Sequence, residues 1–112
     1  MIEIPKTFEL AGRKWRVKRL SPGDVAKVEG WSIKESQNES GHTCIRTATI
    51  YIVDHDNETE DYRRLTFWHE LHHAIKMSAG EIGDHDETEV ERLAVFLHQF
   101  DKTRKGVTNL GS

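Results

Sequence analysis

Residues 66–75 read TFWHELHHAI, with three histidines and a glutamate packed into positions 69–73 of an otherwise apolar stretch. The surrounding apolar residues fall at helical spacing, Leu65, Trp68, Leu71 and Ile75 on one row and Phe67, Leu71 and Ala74 on another. The pattern runs on to Ala79-Gly80, where glycine is a natural C-terminal stop. A helix is therefore expected here, with the histidines in its middle. His69 and His73 are one turn apart on such a helix, so both rings project from one face and can share a tetrahedral cation through imidazole nitrogens. His72 lies off that face and is expected to be exposed or to pack against a neighbouring helix. Glu70 directly follows the first histidine, the position from which the carboxylate of a His-Glu-x-x-His metal site acts as general base.

Downstream, Val90, Leu93, Ala94, Leu97 and Phe100 repeat at helical spacing and predict a second helix from about Asp86 to Lys102, with Asp84 or Asp86 able to cap it. Glu87, Glu89 and Glu91 open that helix. Carboxylates in a first turn complement the helix dipole in any protein. A zinc ion with two histidine ligands, however, also needs one further protein ligand while keeping a fourth position for water. Fourteen positions separate His73 from Glu87, and simple antiparallel packing would bring Glu89 or Glu91 nearer to the level of the histidines.

Upstream the periodicity changes from helical to alternating. KTFELAGRKWRVKRL, residues 6–20, predicts two strands, Thr7 to Leu10 and Lys14 to Leu20, joined by a turn at Ala11-Gly12. Ser21-Pro22-Gly23-Asp24 breaks the pattern and is expected to start a short helix through Val28, and residues 30–43 alternate only weakly before ending in polar turn residues. CIRTATIYIVDH, residues 44–55, is rich in β-branched side chains and predicts one strand from Cys44 to Val53. The fold class expected is α+β: an N-terminal hairpin and an edge strand on a histidine-bearing helix and a glutamate-bearing C-terminal helix.

Composition narrows the classes. A chain of 112 residues with 36% hydrophobic and 31% charged residues fits one soluble domain, expected over 1–105, with 106–112 a flexible polar tail. No segment is apolar enough to span a membrane, and the N-terminus lacks the basic flank and apolar run of a secretion signal, so a cytoplasmic location is expected. The single cysteine, Cys44, fits a reducing compartment and leaves any metal to histidine and carboxylate. The net charge of −3 argues against a dedicated nucleic-acid binder. Arg13, Lys14, Arg16, Lys18 and Arg19 nonetheless gather in one segment, which reads first as the solvated face of a strand and second as a surface for an anionic partner.

The arrangement FWHELHHAI…DETEVERLAVFLHQF resembles the small zincin-type metallopeptidases of the ImmA/IrrE kind and the related short phage-encoded metallopeptidases. The similarity is strongest from about Thr49 to Phe100; before that, only the hairpin and Glu29-Gly30-Trp31 are similar. In that family the ligating glutamate is followed four residues later by Asn, Asp or Glu and then by an apolar-Ala pair, which maps onto Glu87, Glu91 and Leu93-Ala94. The resemblance thus implies a zinc ion held by His69, His73 and Glu87, with Glu91 fixing a ligand histidine through its other ring nitrogen and remaining the nearest rival for the ligand role. It also implies hydrolysis of a peptide bond in a protein or peptide substrate, with Glu70 moving the proton and the substrate pairing with the strand Cys44 to Val53. Tyr62, His42, His55 and His98 are candidates to stabilise the oxyanion, none singled out by spacing. A zinc-stabilised interaction or inhibitor protein without catalysis would share the same ligands.

Overall fold

The computed structural model describes residues 3–28, 40–81 and 85–105. Asp84, Glu29-Gly30-Trp31, the alternating stretch 31–39 and the tail 106–112, on which several of the readings above fall, lie outside the described residues.

Strands β1 (Thr7–Leu10) and β2 (Arg13–Leu20) form an antiparallel hairpin in which Phe8 faces Trp15. Ala11 and Gly12 both take positive φ, 51° and 77°, the backbone of a two-residue turn whose twist matches that of its strands. Trp15 is fully buried; Phe8 stacks on it at 6.1 Å, and Phe67 of the first helix meets Phe8 edge-on at 6.1 Å. Ile50, Ile52, Ala48 and Ala74 complete this core.

The chain leaves β2 through a 3-10 helix, Pro22–Lys27, and returns as β3 (Gly41–Cys44) and β4 (Thr49–Val53). The sheet order is β1-β2-β4-β3, with β4 parallel to β2 and antiparallel to β3. The single strand expected from Cys44 to Val53 is therefore β4 preceded by a turn at 45–48, and Gly41-His42-Thr43, expected as polar turn residues, instead join Cys44 in β3 by pairing with β4. The turn carries no glycine or asparagine: Ala48 itself takes a φ of 49°, a left-handed conformation that costs an ordinary residue roughly 1–2 kcal/mol. The compensation comes from β2. The Arg13 guanidinium donates to the carbonyls of Ile45 at 2.7 Å and Arg46 at 2.8 Å, and the Arg16 amide donates to Ala48 O at 2.9 Å. β4 is thus an inner strand, with Ile50 and Ile52 against the core and Val53 under Val25 of the 3-10 helix, while the edges of the described sheet are β1 and, beside β4, Gly41–Cys44.

Arg19 is also committed to the fold, bridging Asp54 at 2.8 Å and Glu60 at 2.6 Å. Of the five basic residues in this segment, Lys14, Arg16 and Lys18 remain as the alternating solvated face.

Helix α1 (Glu60–Ser78) is capped by Thr59, whose hydroxyl accepts from the Tyr62 amide at 3.1 Å. It lays Thr66, Phe67, Glu70 and Ala74 on the sheet side. Helix α2 (Glu87–Thr103) is capped by Asp86, which accepts from the amides of Thr88 and Glu89. Its buried row is Val90, Ala94, His98 and Asp101, whereas Leu93, Leu97 and Phe100, the other members of the expected apolar row, stay on the surface, Phe100 at 68% exposure. Polar contacts pull the packing row round: His98 Nε2 lies 3.3 Å from Asp61 Oδ1, and Lys102 reaches Asp61 Oδ2 at 3.1 Å. Among the described residues no helix is long and apolar enough to cross a membrane.

Gly41 lets the edge strand lie directly on α1. A Cβ at that position would stand 2.7 Å from Thr66 Cγ2 and 2.9 Å from Glu70 Cγ, closer than atoms pack. Gly41→Ala is expected to lower stability by about 1–3 kcal/mol, the usual cost of overpacking, measured by urea denaturation; an unchanged midpoint would show that strand and helix do not press together here.

Candidate metal centre

Successive residues on a helix point about 100° apart, and α1 uses this to divide adjacent side chains between two neighbours. Glu70 turns toward β3, where it is 7% exposed and its Oε1 accepts from the Thr43 hydroxyl at 2.7 Å. His69 and His73 turn toward α2, their ring centroids 5.1 Å apart.

Glu87, the first residue of α2, meets both rings. Its Oε2 lies 3.2 Å from His69 Nε2 and its Oε1 lies 3.2 Å from His73 Nε2. One ligand atom from each of these three residues falls within 4.8 Å of the others, a group that can hold a metal ion. The other ring nitrogens are engaged elsewhere: His69 Nδ1 donates to Glu91 Oε2 at 2.7 Å, and His73 Nδ1 meets His85 Nδ1 at 2.6 Å. Because a carboxylate only accepts, the Glu91 contact puts a His69 proton on Nδ1, so that in the neutral ring Nε2 is the nitrogen with the lone pair toward Glu87. Two nitrogens and a carboxylate that converge in this way could hold a cation between them.

Glu89 points away from this cluster and pairs with Lys76 at 3.3 Å. Simple antiparallel stacking, which favours Glu89 or Glu91 at the histidine level, is thus not what is found: Glu87 reaches both Nε2 atoms and Glu91 reaches the back of one ring. His72 lies outside the cluster, its Nε2 buried without a hydrogen-bond partner among the described residues. The oxyanion candidates are dispersed. Tyr62 is exposed in the first turn of α1, His42 stacks against Tyr51, His55 offers its carbonyl to Arg63, and His98 packs against Asp61. His85 is the residue that sequence spacing missed: it precedes α2 and stands 12 positions from His73, so no helical period connects the two. From Glu87 and Glu91 the surface of α2 continues as a shallow, open groove lined by Thr88, Arg92, Val95 and Phe96.

The chain matches no protein-family model, no curated protein and no solved structure. Its functional reading accordingly rests on the site itself.

Burial holds His73 below its ordinary value of 6.5, against the pull of the Glu87 carboxylate, and burial with Lys76 nearby does the same for His72. The unfolded chain therefore takes up protons first as pH drops. The corresponding stability is present above 6.5 and is lost as pH falls below it. The lowered carboxylates Asp24, Glu60 and Asp61 act later, below ordinary values of 3.8 to 4.5. Metal-free protein should thus melt at a lower temperature at about pH 5.5 than at about pH 7.5, measured by circular dichroism; a flat or rising profile would contradict the assignment.

Proposed function

We propose that the chain is a zinc-dependent metallopeptidase, phage- or prophage-encoded, that hydrolyses a peptide bond in a protein substrate. The observation that carries this reading is the convergence of His69 Nε2, His73 Nε2 and the Glu87 carboxylate. Ligand atoms at tetrahedral angles on a zinc ion with bonds near 2.0–2.1 Å are separated by about 3.3 Å; the two Nε2 atoms each lie 3.2 Å from a different Glu87 oxygen and one atom from each residue lies within 4.8 Å of the others, so zinc would draw the three side chains together. Three protein ligands leave one position open, the pattern of a catalytic rather than a structural zinc. Zinc held there supplies Lewis acidity for attack of water on an amide carbonyl.

Glu70 takes the proton of the attacking water and passes it to the leaving amine. Thr43 orients that carboxylate through the 2.7 Å hydrogen bond. An extended substrate pairs with the free edge of β3, one strand away from the position expected from sequence. The groove beside Glu87 and Glu91 accommodates a substrate side chain against Val95 and Phe96.

Zinc titration tests the ligand set. Wild type should bind about one equivalent, Glu87→Ala should nearly empty the site, Glu91→Ala should weaken affinity by roughly 10–100-fold, and Glu89→Ala should change little. A Glu91→Ala protein that empties beside a Glu87→Ala protein that retains zinc would move the ligand one turn along α2.

A second reading, a zinc-stabilised interaction protein without catalysis, is favoured by the burial of Glu70, which can serve as a clamp between β3 and α1. Glu70→Gln separates the two, because the amide keeps an oxygen for Thr43 but cannot take a proton. Peptidase turnover on a proteome-derived peptide library should fall by about 10²–10⁴-fold with zinc content and melting temperature retained. Turnover equal to wild type would leave only the clamp.

A further inference from the structure

We infer that His85 is a positioning residue for the metal centre: it fixes the tautomer of His73 so that the Nε2 lone pair faces Glu87. The inference rests on the metal reading above and adds a residue that the His-Glu-x-x-His pattern does not contain.

His85 Nε2 stands 2.6 Å from the carbonyl oxygen of Glu81, an atom that can only accept. His85 must therefore carry its proton on Nε2 and donate there. A neutral imidazole has one such proton, so His85 Nδ1 is left as an acceptor. That nitrogen lies 2.6 Å from His73 Nδ1, and two facing nitrogens form a hydrogen bond only if one of them is protonated. His73 therefore carries its proton on Nδ1 and donates to His85. Its remaining nitrogen, Nε2, is the one 3.2 Å from Glu87 Oε1. The backbone carbonyl of Glu81 thus sets the protonation of a ligand two rings away. His69 reaches the same state by a shorter route, because Glu91 accepts from its Nδ1 directly.

The relay also restrains both rings. The imidazoles of His73 and His85 lie 4.9 Å apart and within 21° of parallel, so neither can rotate without breaking the nitrogen–nitrogen contact. Side chains that fix ligand histidines in this way are worth roughly 10–100-fold in metal affinity.

The test uses the whole protein and two readouts. In metal-free wild type, long-range nitrogen–proton correlation spectra of the histidine rings should show His73 protonated at Nδ1; in His85→Ala the proton should move to Nε2. Zinc affinity, from competition with a chromogenic chelator, should drop by roughly 10–100-fold in His85→Ala. It should largely return in His85→Asn, whose side-chain oxygen sits near the place of Nδ1 and can only accept. A loss of packing alone would not move the proton and would not be repaired by asparagine. The inference is overturned if wild-type His73 carries its proton on Nε2, or if His85→Ala binds zinc within about threefold of wild type, well short of the loss expected for an outer partner. A wild type that takes up no zinc overturns the metal reading instead, and the metal-free spectrum still decides the tautomer.

Discussion

The Thr43 hydroxyl reaches the Glu70 carboxylate at 2.7 Å only because Gly41, two residues earlier on the same strand face, presents no side chain to α1. Any Cβ there would meet the side chains of Thr66 and Glu70 and hold the edge strand away from the helix. With the strand in place, the sheet covers one side of α1 and buries a glutamate that a surface helix would leave in water. A buried carboxylate needs a donor, and the edge strand brings one. The same contact sets an extended backbone edge beside the helix that carries the histidines.

The adjoining side of α1 belongs to α2, and the junction between them holds the histidine–carboxylate cluster. Asp86 caps α2 and so makes Glu87 its first residue, at the level where one carboxylate spans the Nε2 atoms of both His69 and His73. One turn later Glu91 takes the back of the His69 ring, and ahead of the cap His85 takes the back of His73. Each of the two Nε2 atoms is thus matched by a partner on its own ring's far side. Lys76 ties Glu89 to the end of α1 and leaves the cluster to Glu87 and Glu91.

Elements whose causes lie within a few residues of one another were legible without coordinates. The first hairpin follows from alternation around Ala11-Gly12, and both helices follow from apolar periodicity, with Gly80 ending the first and Asp86 starting the second. Elements whose causes lie far along the chain were not. The turn at 45–48 is held by Arg13, more than thirty positions away, which donates to its carbonyls, so a stretch that alternates like one strand starts only at Thr49 while the polar residues before Cys44 become the edge strand. The face that α2 buries is likewise chosen by Asp61 on the other helix, which draws His98 inward and leaves Phe100 outside.

For the site the division has the same origin. The spacing of His69 and His73 and the presence of acidic residues at the start of α2 are properties of single helices, so the sequence alone determined that two imidazoles share a face and that a carboxylate is near at hand. Which carboxylate meets them depends on how two helices cross, and periodicity within either helix carries no information about that. The tertiary structure assigned Glu87 to both Nε2 atoms, sent Glu89 to Lys76 and brought His85 behind His73. These are contacts between elements, and only packing decides them.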